Sequence, residues 1–69
     1  MSKGRVRNNI RALRLARGLS QQALADAVEA TRQTINAIEQ EKYAPSLELA
    51  FRIARAFKLN FEDVWSFET

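Results

Sequence analysis

At 69 residues the chain lies near the lower limit for a fold that stands without metals or disulfides, and with no Cys and no His it has neither disulfides nor the usual zinc ligands. A hydrophobic content of 46% excludes a disordered chain, so stability must come from packing, helped by a partner subunit. The net charge of +3 is unevenly placed: residues 1–17 hold Lys3, Arg5, Arg7, Arg11, Arg14 and Arg17 and no acid (+6), whereas residues 59–69 hold Glu62, Asp63 and Glu68 and no base (−3), so one end is expected to attract a polyanion and the other is not.

In chain order, "GRVRNN" combines a Gly, a β-branched Val and an Asn pair, and is read as a short strand. Its partner is "WSF" near the C-terminus, the alternative being a frayed N-terminus. A first helix is predicted over Asn9 to Arg17, with Ile10, Leu13 and Arg14 at helical spacing and Gly18 ending it. Ser20 caps a second helix, Gln21 to Val28, that buries Leu24, Ala25 and Val28. After "EAT", Thr31 caps a third helix, Arg32 to Glu39, with Ile35 and Ile38 inward. "QEKYAP" reads as a loop closed by Pro45. Ser46 caps a fourth helix, Leu47 to Phe57, whose apolar side carries Leu49, Ala50, Ile53, Ala54 and Phe57 and whose other side shows Glu48, Arg52 and Arg55. Asn60 caps a last short helix, with Asp63 in the capping-box position. "VWSFET" is too apolar for a free tail. No repeat or linker interrupts residues 1–69, which are read as a single domain. No apolar run reaches membrane-span length and no signal-peptide core follows Met1, so the protein is expected to be soluble and cytoplasmic, which the lack of Cys fits.

Two short helices joined by a three-residue turn, over about residues 21–40, fit a helix-turn-helix. The motifs "R-x-x-x-G-L-S-Q", "L-A", "T-R-Q-T-I", "I-E" and "K-Y-x-P-S-L" are far more specific. Through them the chain resembles the lambda-repressor/Cro-like (XRE) family from Asn8 to about Val64, and within it the short branch similar to the cytolysin-operon repressor. The resemblance implies an all-α fold of five helices with a two-stranded β-ribbon made by the termini. It also implies a transcriptional regulator, a repressor that binds double-stranded DNA through the major groove, as a homodimer on an inverted repeat. An antitoxin of a toxin pair, or a protein-interaction module on the same fold, are the rival readings. Two positions depart from the family pattern: Glu29 stands where most members have Gly, and Gln40-Glu41 where many have Asn-Gly. A positive φ retained at either site costs on the order of 1 kcal/mol, which the fold should tolerate; the departures bear on the path of the loop to Lys42 and Tyr43.

Base-edge readers are expected in the first turns of the third helix. Gln33 has the donor and acceptor to bond adenine N6 and N7, Arg32 bonds guanine O6 and N7 or a phosphate, and Asn36 lies one turn on, on the same face. The resemblance makes Gln21 a phosphate ligand; Thr31 and Thr34 offer hydroxyls, with Thr31 alternatively no more than a cap, and Lys42 and Tyr43 are expected to reach phosphates from the loop after the third helix. Arg11, with Arg5 and Arg7, is expected to supply charge at the groove's edge. The resemblance also pairs Arg14 with Glu39 as a structural ion pair. Enzyme activity is not expected: Ser20 and Ser46 read as caps, and the adjacent Glu62-Asp63 pair fits helix capping better than acid–base chemistry. No metal or cofactor is expected. Leu59, Phe61, Val64, Trp65 and Phe67 crowd the last eleven residues and are read as the dimer interface, with Phe51 at its rim. The alternative is that Trp65 and Phe67 complete the monomer core. A membrane-surface role is a weaker reading, because the apolar stripes are consumed by one core.

Overall fold

Local capping decides where most of the helices begin. In the computed structural model, which describes residues 4–69, the elements run β1 (Arg5–Asn8), α1 (Ile10–Ala16), α2 (Gln21–Ala27), α3 (Arg32–Glu39), α4 (Leu47–Ala56), α5 (Phe61–Val64) and β2 (Trp65–Glu68). Ser20 Oγ accepts from the Ala23 amide at 2.9 Å, Thr31 Oγ1 from Thr34 at 3.1 Å and Ser46 Oγ from Leu49 at 3.1 Å. Each side chain satisfies an amide that the first helical turn leaves without a partner. At α5 the Asn60 amide donates to Asp63 Oδ2 at 3.0 Å. The start of α1 is held differently: Asn9 makes no cap bond, and Asn8 Oδ1 accepts from the Ile10 amide at 3.1 Å. The ends of α1, α2 and α4 fall a residue inside the sequence expectation, because Arg17, Val28 and Phe57 serve as C-caps.

One device ends α1 to α4. A residue in the left-handed region follows the last turn, and the next amide reaches back to the carbonyl five residues earlier: Leu19 to Arg14 at 2.9 Å, Ala30 to Ala25 at 2.9 Å, Lys42 to Ala37 at 3.0 Å and Leu59 to Ala54 at 3.0 Å. The left-handed residues are Gly18 (φ 67°), Glu29 (61°), Glu41 (61°) and Lys58 (59°). Glu29 and Glu41 thus keep the turn geometry without its usual Gly, at a cost on the order of 1 kcal/mol each.

The core unites all five helices through Ile10, Leu24, Val28, Ile35, Ile38, Ile53, Phe57 and Val64, and β2 adds Trp65. Trp65 is only 5% exposed, and its Nε1 donates to the Ala50 carbonyl at 3.0 Å. That bond lets a large ring enter the core without an unsatisfied N–H. The antiparallel ribbon pairs Arg5 with Glu68, Val6 with Phe67, Arg7 with Ser66 and Asn8 with Trp65. Asn8 Nδ2 and Asn9 Nδ2 donate to the carbonyls of Ile38 and Asp63, each at 3.0 Å, and so tie the start of α1 to α3 and α5.

The ribbon corrects the expectation of two separated charged ends. Arg7 Nη1 donates to Glu68 Oε1 at 2.7 Å and Arg7 Nε to Glu41 Oε2 at 2.8 Å, while Arg5 lies 3.7 Å from Glu68. Basic and acidic ends meet instead of facing apart. Lys3, counted in the basic run, lies outside the described residues.

Candidate nucleic-acid interface

The outer face of α3 is built over a buried ion pair. Ile35 and Ile38 point into the core, which leaves Arg32, Gln33, Asn36 and Gln40 exposed. Beneath them Arg14 Nε donates to Glu39 Oε2 at 2.6 Å and Arg14 Nη2 to Glu39 Oε1 at 3.0 Å, with the two side chains 8% and 4% exposed. Arg14 Nη1 also donates to the Leu19 carbonyl at 3.0 Å. Hydrogen bonding to Glu39 raises the Arg14 pKa above its already high ordinary value, against the opposing effect of burial. The guanidinium therefore fixes the C-terminal turn of α3 to α1 and to the loop before α2.

From Glu39 a polar chain continues outward. Gln21 Nε2 donates to Glu39 Oε1 at 3.2 Å and to Asn36 Oδ1 at 3.1 Å, and Gln40 Nε2 donates to the same Asn36 oxygen at 3.2 Å. The side-chain donors of Gln21, expected to hold a phosphate, are thus engaged inside the protein. At the start of α3 the Thr31 hydroxyl donates to Thr34 Oγ1 at 3.0 Å while accepting from the Thr34 amide. Thr31 therefore acts as a cap, and the Thr34 hydroxyl keeps a proton to donate outward. Gln33, Thr34, Ala37 and Tyr43 line one shallow groove, so the loop after α3 stands beside the first turns of the helix. Lys42 and Tyr43 are both exposed.

The basic N-terminus contributes less free charge here than its composition suggests. Arg7 is engaged by Glu41 and Glu68, Arg14 by Glu39, and Arg17 donates to the Phe57 carbonyl at 2.6 Å with its guanidinium 5.2 Å from that ring's centroid. Arg7 is accordingly corrected from a groove-edge charge to a ribbon residue. Among the described residues Arg11, Arg32 and Lys42 are exposed and enter no ion pair. Sequence reasoning missed Gln40 and Ala37; the signal for Gln40 was its place four residues after Asn36, on the same helical face.

The expected dimer surface also changes. Val64 and Trp65 are 3% and 5% exposed, because β1 pairs over β2 and turns the Trp ring into the core. They are corrected to monomer core residues. Leu59 and Phe61 are half-buried, and Phe67 stays 59% exposed. Val6, Leu47 and Phe51 are also exposed: Val6 pairs with Phe67 across the ribbon, Val6 and Leu47 line one groove with Phe61, and Phe51 lies 4.7 Å from Phe61 between ring centroids. Among the described residues, no helix is long and apolar enough to cross a membrane.

Two short helices across a tight turn, the second presenting amide and guanidinium groups over an internal clamp, define the helix-turn-helix class. The helix-turn-helix family pattern matches residues 10–64, and the chain belongs to the XRE-type, lambda-repressor/Cro-like family. It is 44% identical over 63 residues to the uncharacterized HTH-type transcriptional regulator YgzD of Bacillus subtilis, covering 91% of this chain and 96% of that one. An uncharacterized HTH-type transcriptional regulator of Methanothermobacter thermautotrophicus is 49% identical over 61 residues, covering 87% and 88%. The crystal structure of a candidate DNA-binding protein from Bacteroides fragilis superposes with a TM-score of 0.78 at 18% identity, over 88% of this chain and 98% of that chain, a likeness of fold.

Proposed function

We propose that the protein is a sequence-specific DNA-binding transcriptional regulator, a repressor that binds an inverted-repeat operator as a homodimer. The observation that carries this reading is the outer face of α3. Arg32, Gln33 and Asn36 stand exposed together on a helix clamped from behind by Arg14 and Glu39. An enzyme or a docking module has no need of guanidinium and amide groups in that array, whereas base edges require them. Lys42, Tyr43, Thr34 and Arg11 surround the face with donors suited to phosphates. Binding that overlaps a promoter would exclude polymerase, and a chain of this size that binds there acts most simply as a repressor.

One α3 offers few base contacts, so two copies about 34 Å apart, one helical turn of DNA, supply the specificity. The exposed apolar side chains, Val6 with Phe67 on the ribbon and Leu47 with Phe51 on α4, are where the second copy would pack. Selection of bound sequences from a random double-stranded pool tests the reading. A palindromic consensus is the expected result; retention of no sequence, or of all sequences alike, would sink it.

A further inference from the structure

We infer that Asn36 reads DNA as a hydrogen-bond donor only, favouring guanine, whose major-groove edge offers two acceptors, over adenine, which offers one. This rests on the DNA-binding reading above and adds to it the polarity of one reader.

The argument starts at Glu39. Its carboxylate has only acceptors, and Arg14 holds both oxygens. The Gln21 group 3.2 Å from Glu39 Oε1 must therefore be the amide nitrogen, since the amide oxygen would face a carboxylate. The same nitrogen lies 3.1 Å from the Asn36 amide, so the Asn36 atom that meets it must be the oxygen. Gln40 Nε2 donates to that oxygen as well, at 3.2 Å, which engages both of its lone pairs. Asn36 Nδ2 is left to face outward, and among the described residues it donates to no protein group. A buried ion pair thus sets the orientation of an exposed amide through one intermediate side chain.

A freely turning Asn bonds adenine with its oxygen on N6 and its nitrogen on N7. Here the oxygen is taken, so adenine can accept only at N7 and its N6 donor finds no acceptor on Asn36. Guanine offers N7 and O6, both acceptors, and thymine offers O4. Guanine is the best match; thymine and adenine each offer one acceptor, adenine with an unmet donor beside it. Gln21 is a positioning residue in this scheme: it touches no base and acts through Asn36.

Random-pool selection with wild type, Asn36→Ala and Gln21→Ala tests the inference. In wild type, one position of each half-site should hold guanine and disfavour adenine by about tenfold. Asn36→Ala should randomise that position. Gln21→Ala should release the amide and admit adenine there as readily as guanine. Adenine as the wild-type base, a Gln21→Ala consensus with undiminished discrimination, or an Asn36→Ala consensus unchanged throughout would each overturn the inference while leaving the DNA-binding reading intact. A wild type that selects no sequence removes that reading and the inference together. Nitrogen-15 spectra of the free protein give an independent check. One Gln21 side-chain amide proton, the one directed at Asn36, should quicken its exchange with solvent in Asn36→Ala while the one directed at Glu39 stays slow; fast exchange of both in wild type would show that no lock exists.

Discussion

Arg14 grips Glu39 with two of its nitrogens at once, at 2.6 Å and 3.0 Å, where neither side chain reaches water to any extent. The pair spans 25 residues of chain and joins α1 to the end of α3. Glu39→Ala leaves the guanidinium buried and partly unpaired, and is expected to destabilise the fold by about 3–5 kcal/mol. Replacing both partners with apolar residues of similar volume should cost much less, because no buried charge remains. Urea unfolding of the single and double variants measures the difference; equal losses would mean that the charge is solvated after all.

Glu29 supplies a stability test of opposite sign. It holds φ 61° at the end of α2, and among the described residues its one ion pair is a 3.5 Å approach to Arg52 with the Glu side chain 81% exposed. Glu29→Gly should raise stability by about 0.5–1 kcal/mol, the relief of left-handed strain outweighing the added freedom of the unfolded chain. Glu41 has the same φ but accepts from Arg7, so Glu41→Gly is expected to show no such gain. Thermal unfolding of the two variants side by side decides it.

The ribbon should loosen in acid. Hydrogen bonding to Arg7 holds the Glu68 carboxyl below its ordinary pKa of 4.5. A carboxyl depressed by folding contributes fully above the ordinary value, and the contribution fades as pH falls through the lower folded value. Amide exchange across Arg5–Asn8 and Trp65–Glu68 should therefore quicken in that window while α3 stays protected. In Glu68→Gln this acid step should vanish; its persistence would place the sensitive group elsewhere.

DNA binding should divide by residue type. Gln33→Ala is expected to cost about 1–3 kcal/mol on the selected site and little on random DNA. Lys42→Ala should weaken every sequence alike and make the salt dependence shallower by about one unit. Titrations of cognate and random duplexes at several salt concentrations separate the two effects. Equal losses for Gln33→Ala on both duplexes would make it a backbone ligand.

Core and interface should also part. Trp65→Ala opens a cavity and removes the bond to the Ala50 carbonyl, so a loss of about 3–5 kcal/mol is expected. Phe51→Ala with Phe67→Ala removes half-exposed rings and should cost the monomer much less stability than Trp65→Ala, while shifting the proposed dimer to monomer in sedimentation. A double variant that still sediments as a dimer moves the interface off this patch.

What the sequence determined by itself is the local part of the design. Ser20, Thr31 and Ser46 cap helices through bonds to an amide three residues on, and Gly18 ends one, so the starts of α2, α3 and α4 were readable from a few adjacent letters. The apolar spacing of Ile35 and Ile38 likewise marks which side of α3 faces the core, and with it the exposure of Arg32, Gln33 and Asn36. Tertiary structure decided whatever depends on residues far apart in the chain. Composition alone could not say whether Trp65 was core or interface, because that turns on β1 closing over β2 and on a carbonyl fifteen residues away. Nor could it say that Arg7 would meet Glu68 across 61 residues, or that Gln21 would be held between Glu39 and Asn36. Periodicity and caps report a side chain's relation to its own helix; which polar partner it finds is set by how the helices pack.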